Sequence, residues 1–190
     1  MSDITLFQTV EDRDNVDNIE RNGPILCIKN PWLGRGYYFW EMQIENAHWW
    51  GKNHYKDNYM IFEVTSSYPE RILDLVSNYE HLSRFRNVIN YLRKVYPKKK
   101  INVAFAIEFL KKENLLSDFM AIKANAINSK SYNNVNKSQV VPFLKNTNQF
   151  FLELVPPIQV CVFNKKMLNN DFHVIYPDKY CLDQDDQFVF

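Results

Sequence analysis

Residues 34–40 read Gly34-Arg35-Gly36-Tyr37-Tyr38-Phe39-Trp40 (GRGYYFW), in a chain of 190 residues that holds only 4 glycines. Two glycines one residue apart, directly before four consecutive aromatics, carry one of two meanings. Glycine reaches positive φ and lets another backbone come close. The pair therefore either turns the chain into a buried strand or brings main chain and ring against a flat ligand. On the residues alone, the turn is the simpler reading. The order of the flanking elements decides between them.

Working outward, Ile4–Val10 reads as a short strand. Asp12 or Asp14 then caps a helix running to Arg21, with Val16 and Ile19 inward, and Gly23 and Pro24 stop it. Residues 25–29 (ILCIK) form a second apolar run, 31–36 a loop, and Tyr37–Met42 a strand or turn emerging from it. A short helix starts at Asn46–Trp50, and Tyr59–Thr65 is a strong β-branched and aromatic strand. From Pro69 the period changes. Ile72, Leu75, Val76, Tyr79, Leu82, Val88, Ile89 and Leu92 recur at helical spacing as far as residue 95, and Pro97 and Lys98–Lys100 end that segment. A second helical stretch covers 102–116, with Phe105, Phe109 and Leu110 on one side. Residues 69–116 are thus expected to be a helical insert. Strand signals return at Phe119–Ala126, Phe150–Val155 and Ile158–Phe163, with a loop at 128–139 and a turn of helix at Lys165–Leu168. This order predicts an α+β fold with mostly antiparallel pairing.

Composition narrows the function classes. With 46% hydrophobic and 24% charged residues, the chain reads as one globular domain over 1–190. A formal net charge of +1 gives no global electrostatic case for nucleic acid or membrane. Cys27, Cys161 and Cys181 are dispersed and odd in number, which predicts a reduced, cytoplasmic setting. The opening MSDITLFQTVEDRD has no apolar run, so no leader is expected. No apolar stretch approaches the ~18 residues of a span, so no membrane partner is expected either. His48, His54, His81 and His173 have no ligand partners at metal-binding spacing, and no metal is predicted. Neither a nucleophile elbow nor a P-loop occurs. Cys161, inside IQVCVF, reads as an inert core thiol. Arg93, Lys94 and Lys98–Lys100 form a local basic cluster: either a solvated helix end favoured by the dipole, or a contact to phosphate or an acidic partner.

Set in order, these pieces resemble the ADP-ribosyltransferase fold, in the branch with an H-Y-E pattern. Leu6-Phe7-Gln8-Thr9 stands where small bacterial members have a Leu-Tyr-His-Gly-Thr strand. Gly34-Arg35-Gly36-Tyr37-Tyr38-Phe39 matches their Gly-x-Gly-hydrophobic-Tyr-hydrophobic piece. Ala47 with Trp50, the Tyr59–Val64 strand, Met120-Ala121-Ile122-Lys123 and Ile158-Gln159-Val160 follow in the family's order. The resemblance spans roughly 4–64 and 117–168. It implies a pair of small, mostly antiparallel sheets around a cleft that binds NAD as a substrate. NAD contacts fall to Gln8, Thr9, Gly34, Gly36, Tyr37 and Tyr38, with Tyr38 rather than Tyr37 stacking on the nicotinamide.

The pattern departs from the family twice. Its histidine is replaced by Gln8, or by Phe7 if Thr9 is the anchor. Its final acid aligns with Gln159, with Glu153 as the alternative. The acid stabilises the oxocarbenium-like charge that develops as nicotinamide leaves, and a neutral amide does this less well. The catalytic set implied is therefore Tyr38 with Gln159 or Glu153. The activity implied is mono-ADP-ribosyl transfer from NAD to a protein or nucleic-acid acceptor, as in an intracellular bacterial toxin, paired with an antitoxin, or a phage-defence effector. The alternative is an inactive module of the same fold that binds a nucleotide or a partner protein.

Overall fold

The computed structural model describes residues 3–125, 140–143 and 151–181. In chain order the elements are β1 (Ile4–Glu11), α1 (Val16–Asn22), β2 (Leu26–Cys27), β3 (Gly36–Glu41), α2 (Ile44–Tyr55), β4 (Tyr59–Ser66), β5 (Ile72–Asp74), α3 (Tyr79–Val95), α4 (Val103–Lys112), β6 (Ala121–Asn125), β7 (Val140–Pro142), β8 (Phe151–Glu153), β9 (Ile158–Val162) and β10 (His173–Tyr176). The class is mixed α and β with a mostly antiparallel sheet. That sheet runs β10-β4-β1-β3-β9-β6-β5, with β2 added beside β3. β7 and β8 form a separate two-stranded ribbon.

The sheet is one hydrogen-bonded series, not two separate small sheets. Its pairing is nevertheless uneven. β1 registers with β4 along its whole length, from Ile4↔Ser66 to Glu11↔Tyr59. Against β3 it registers only at Leu6↔Glu41 and Phe7↔Trp40. Beyond Phe7 the two strands part, and β2 fills the gap on the β3 side through Leu26↔Tyr37 and Cys27↔Gly36. The loop at 128–139 and the last nine residues lie outside the described residues.

The segment expected to be helical from Pro69 differs. Pro69–Arg71 is a single 3-10 turn, and Ile72–Asp74 is a strand lying parallel to Ala121–Lys123. α3 starts only at Tyr79. Its N-cap is Asn78, whose side chain accepts the His81 amide. The Asp74 carboxylate accepts the Val76 and Ser77 amides, which turns the chain between strand and helix. Ile72 and Leu75 continue the helical period by coincidence. What overrides it is a partner strand nearly fifty residues away.

Strand alternation sorts the core onto two faces. On one face lie Leu6, Phe39, Val64, Ala121, Val160 and Val162, covered by Met167 and Phe172. Val10, Met60, Phe62 and Val174 extend this face under Ile19 of α1. On the other face α2 covers Phe7, Trp40, Tyr59 and Ile61. α4 and the loop around Leu33 cover Leu73, Ile122 and Cys161 there. α2 lies close enough that a Cβ on Gly51 would run into the Tyr59 ring.

Candidate functional site

The glycine pair is explained by packing within the chain. Gly34 has φ +82, in the left-handed region. Its α-carbon also lies against Ile107 and Lys111 of α4, where a Cβ would sit 3.0 Å from each. At Gly36 a Cβ would come 2.5 Å from Cys161 Sγ and 2.6 Å from the Val162 carbonyl oxygen. β9 therefore occupies the space that the second glycine leaves open.

The two tyrosines that follow point to opposite faces. Tyr38 packs toward Leu33, Ile107 and Cys161. Its hydroxyl accepts the Leu33 amide at 2.7 Å and donates to the Gly34 carbonyl at 3.0 Å, so it latches the loop that precedes it. Burial, reinforced by the nearby Cys161, pushes this phenol well above its ordinary value. Cys161 is itself pushed up to about 12 by burial and stays a neutral thiol. Tyr37 turns to the α1 face, where the Lys165 ammonium lies 4.7 Å from its ring centroid.

Gln8 is buried at the point where β1 and β3 part. Its Oε1 accepts the Ile25 amide at 2.6 Å, and its Nε2 donates to the Ile25 carbonyl at 3.0 Å and the Tyr38 carbonyl at 3.3 Å. The amide thus replaces the ladder bonds that β1 no longer makes to β3. Neighbouring Thr9 faces the other way and donates its hydroxyl to the Ala47 carbonyl of α2 at 2.9 Å. Gln159 lies opposite Trp40 on β9. Its Oε1 accepts the Trp32 indole N–H at 2.9 Å. Glu153 sits in the β7–β8 ribbon rather than in the main sheet, and burial raises its carboxyl above the ordinary glutamate range.

Three strands bring the expected positions together: β1 with Gln8, β3 with Tyr38 and β9 with Gln159 are consecutive neighbours in the sheet. The side chains do not converge. Gln8 and Tyr37 belong to the α1 face, whereas Tyr38 and Gln159 belong to the α2 and α4 face. Trp50 stacks on His54 at 3.5 Å between centroids and tilts against Trp40, closing the far end of that second face.

Two features are absent from the residue-level reading. On the α1 face, Lys123 bridges Glu41 at 3.1 Å and Asp74 at 3.2 Å, with all three side chains largely shielded from water. Burial alone would raise the Asp74 carboxyl. The Ser77 hydroxyl and amide, the Val76 amide and Lys123 outweigh it and hold the carboxyl down to about 2. The same two carboxylates raise the Lys123 ammonium against the opposing effect of its own burial. The second feature is a cavity of about 330 Å³ at the end of α1. Arg21, Gly23, Pro24, Lys165, Asn169 and Phe172 are among its lining residues. Lys165 is held there by donating to the Asn22 carbonyl at 3.1 Å. No spacing rule in the sequence joins Arg21 to Lys165.

No group of three or more His, Cys, Asp or Glu side chains that could hold a metal ion occurs among the described residues. Nor is any helix among them long and apolar enough to cross a membrane. Comparison with protein-family models, curated proteins and solved structures gives no match.

Proposed function

We propose that the chain is a nucleotide-binding module built on an ADP-ribosyltransferase-like arrangement of strands, holding NAD or its ADP-ribose part without transferring it. One observation carries this reading. Gln8, Tyr38 and Gln159 stand on three adjacent strands, and each spends polar groups on the protein itself. A transferase needs an acceptor of high charge fixed beside the ribose. Among the described residues, the only anionic candidate on the late strands, Glu153, stands on the β7–β8 ribbon and not in the main sheet with Gln159. Binding asks for less: a concavity of ligand size, apolar walls and a few fixed polar groups. The cavity at the end of α1 offers a concavity of about 330 Å³ with Phe172 on one side and Arg21 and Lys165 as cations for a diphosphate, beside the Glu20 carboxylate.

Calorimetry with NAD, ADP-ribose and nicotinamide, run beside an assay of nicotinamide release, tests this. Binding of NAD and ADP-ribose, weakened about tenfold or more in Lys165→Ala and without turnover above buffer, is the expected result. Nicotinamide release that disappears in Glu153→Gln would restore the transferase reading, with its macromolecular acceptor. Absence of binding by all three ligands would end the nucleotide reading.

A further inference from the structure

We propose that the solvent face of α3, with the turn that follows it, docks the phosphate backbone of a nucleic acid. Residues 79–100 hold seven cations (Arg84, Arg86, Arg93, Lys94, Lys98, Lys99, Lys100) and one carboxylate, Glu80. The segment therefore carries +6 in a chain whose total is +1. The charge is local, and the net figure for the whole chain hides it.

Helix geometry decides what these charges face. α3 turns Phe85, Val88 and the fully buried Leu92 toward the sheet and α4. At 100° per residue the opposite side presents Tyr79, Ser83, Arg86, Asn87, Asn90, Arg93 and Lys94. Tyr79 is 77% exposed. Glu80 is committed to Arg84 four residues on. Among the described residues, Arg86, Arg93, Lys94, Lys98 and Lys100 make no ion pair. Lys99 lies over the Phe105 ring instead.

The bland account is a solvated helix face. Such faces usually mix signs, with acids placed four residues from bases. Here the cations repel one another along about 15 Å of helix. The helix dipole favours only those in the last turn, Arg93 and Lys94, and does nothing for Arg86 or for Lys98 and Lys100 beyond the end. A polyanion relieves that repulsion by taking the place of condensed counterions. A membrane fits poorly, because the apolar side of α3 is already used by the core and the outward side is Asn, Ser, Arg and Lys. A nucleic acid fits better than an acidic protein surface. The outward row alternates guanidinium and ammonium groups with carboxamides and an exposed tyrosine ring, which suit phosphate, sugar and base respectively. This surface is separate from the cavity at the end of α1, and its failure would leave the nucleotide reading standing.

The test is fluorescence anisotropy of the full chain with a labelled mixed-sequence RNA of about 20 nucleotides, titrated between about 50 and 200 mM salt. Expected is binding that weakens steeply with salt. In Arg86→Gln/Arg93→Gln/Lys94→Gln the affinity at low salt falls at least tenfold. The slope of log affinity against log salt falls by roughly 2, near 0.7 for each single-strand phosphate contact. Lys98→Gln/Lys100→Gln, beyond the helix, shifts both in the same direction and cannot disturb α3 packing. The three-charge control Lys29→Gln/Lys52→Gln/Lys166→Gln, on other surfaces, leaves both near wild type. No binding at about 50 mM salt would overturn the proposal. So would an unchanged slope in the triple variant, or poly-glutamate competing as well as RNA at equal charge.

Discussion

Replacing Gly36 by alanine tests whether the glycine pair serves packing or a ligand. The added Cβ would stand 2.5 Å from Cys161 Sγ and 2.6 Å from the Val162 oxygen, about 1 Å inside ordinary carbon contact distance. Neither neighbour can yield cheaply. Cys161 is fully buried, and Val162 is registered with Tyr37 in the β3–β9 ladder. Overpacking of a rigid core costs about 1–3 kcal/mol, and the contact to the Val162 main chain argues for the upper end, about 3. For a chain of this size each kcal/mol moves Tm by roughly 2–4 °C, so the midpoint should fall by roughly 6–12 °C. Thermal unfolding by circular dichroism reads it. Cys161→Ala removes the nearer obstacle at a cost of about 1 kcal/mol. The double variant should therefore be more stable than the sum of the singles by about 1 kcal/mol, with the Val162 contact left as residue. Gly36→Ala melting within a degree of wild type, or strict additivity in the cycle, would refute the packing account. If only ligand binding then suffered, the glycine would belong to a site after all.

Gln8→Glu should be worse than Gln8→Ala near neutral pH. Alanine strands the Ile25 amide and carbonyl for about 2–3 kcal/mol, whereas a carboxylate also confronts the Ile25 and Tyr38 carbonyls. That carboxyl is expected to titrate above the ordinary ~4.3. The glutamate variant therefore keeps its stability at low pH and loses it as pH rises through the folded pKa; urea unfolding at pH 4 and pH 7 measures the gap, and an equal gap in wild type would sink the idea. Asp74 works in the opposite sense. Its folded value of about 2 lies below the ordinary 3.8, so its contribution is present above pH 4 and is lost as pH falls from about 4 toward 2. Wild type should lose about 2 kcal/mol relative to Asp74→Asn over that window; parallel pH profiles would show that the Ser77, Val76 and Lys123 contacts to this carboxylate contribute nothing.

Much of the sheet was legible because its strands are dense in β-branched and aromatic residues. ITLFQTV, YMIFEVT and IQVCVF read correctly for that reason, and α4 was visible from its apolar period. Ile72–Asp74 was not legible as a strand. Three residues carry no period of their own, and the apolar positions before α3 extend its rhythm backward. The local signals that correct it are the Asp74 turn and the Asn78 cap, both polar side chains closing on main chain. His173–Tyr176 is short for the same reason and found its place only through β4. At the candidate site, residue types marked Gln8, Tyr38 and Gln159 as strand positions, but not which strands would lie together or which way each side chain would face. Choosing Tyr38 over Tyr37 needed the phase of β3. That phase is set by Gly36 meeting Cys161, a contact between residues 125 apart in the chain.

The parallel pairing of β5 with β6 changes what the α3–α4 segment is. Parallel neighbours cannot be joined by a tight hairpin; the chain must travel back the length of the strand and needs a dozen or more residues to do so. α3 and α4 are that return path. They are therefore part of the frame and not an attachment to it, and excising 79–112 with a short linker would detach β5 and uncover the edge of β6. A truncation intended to isolate the basic helix would fail for this topological reason, whereas recoding its outward side chains leaves the connection intact.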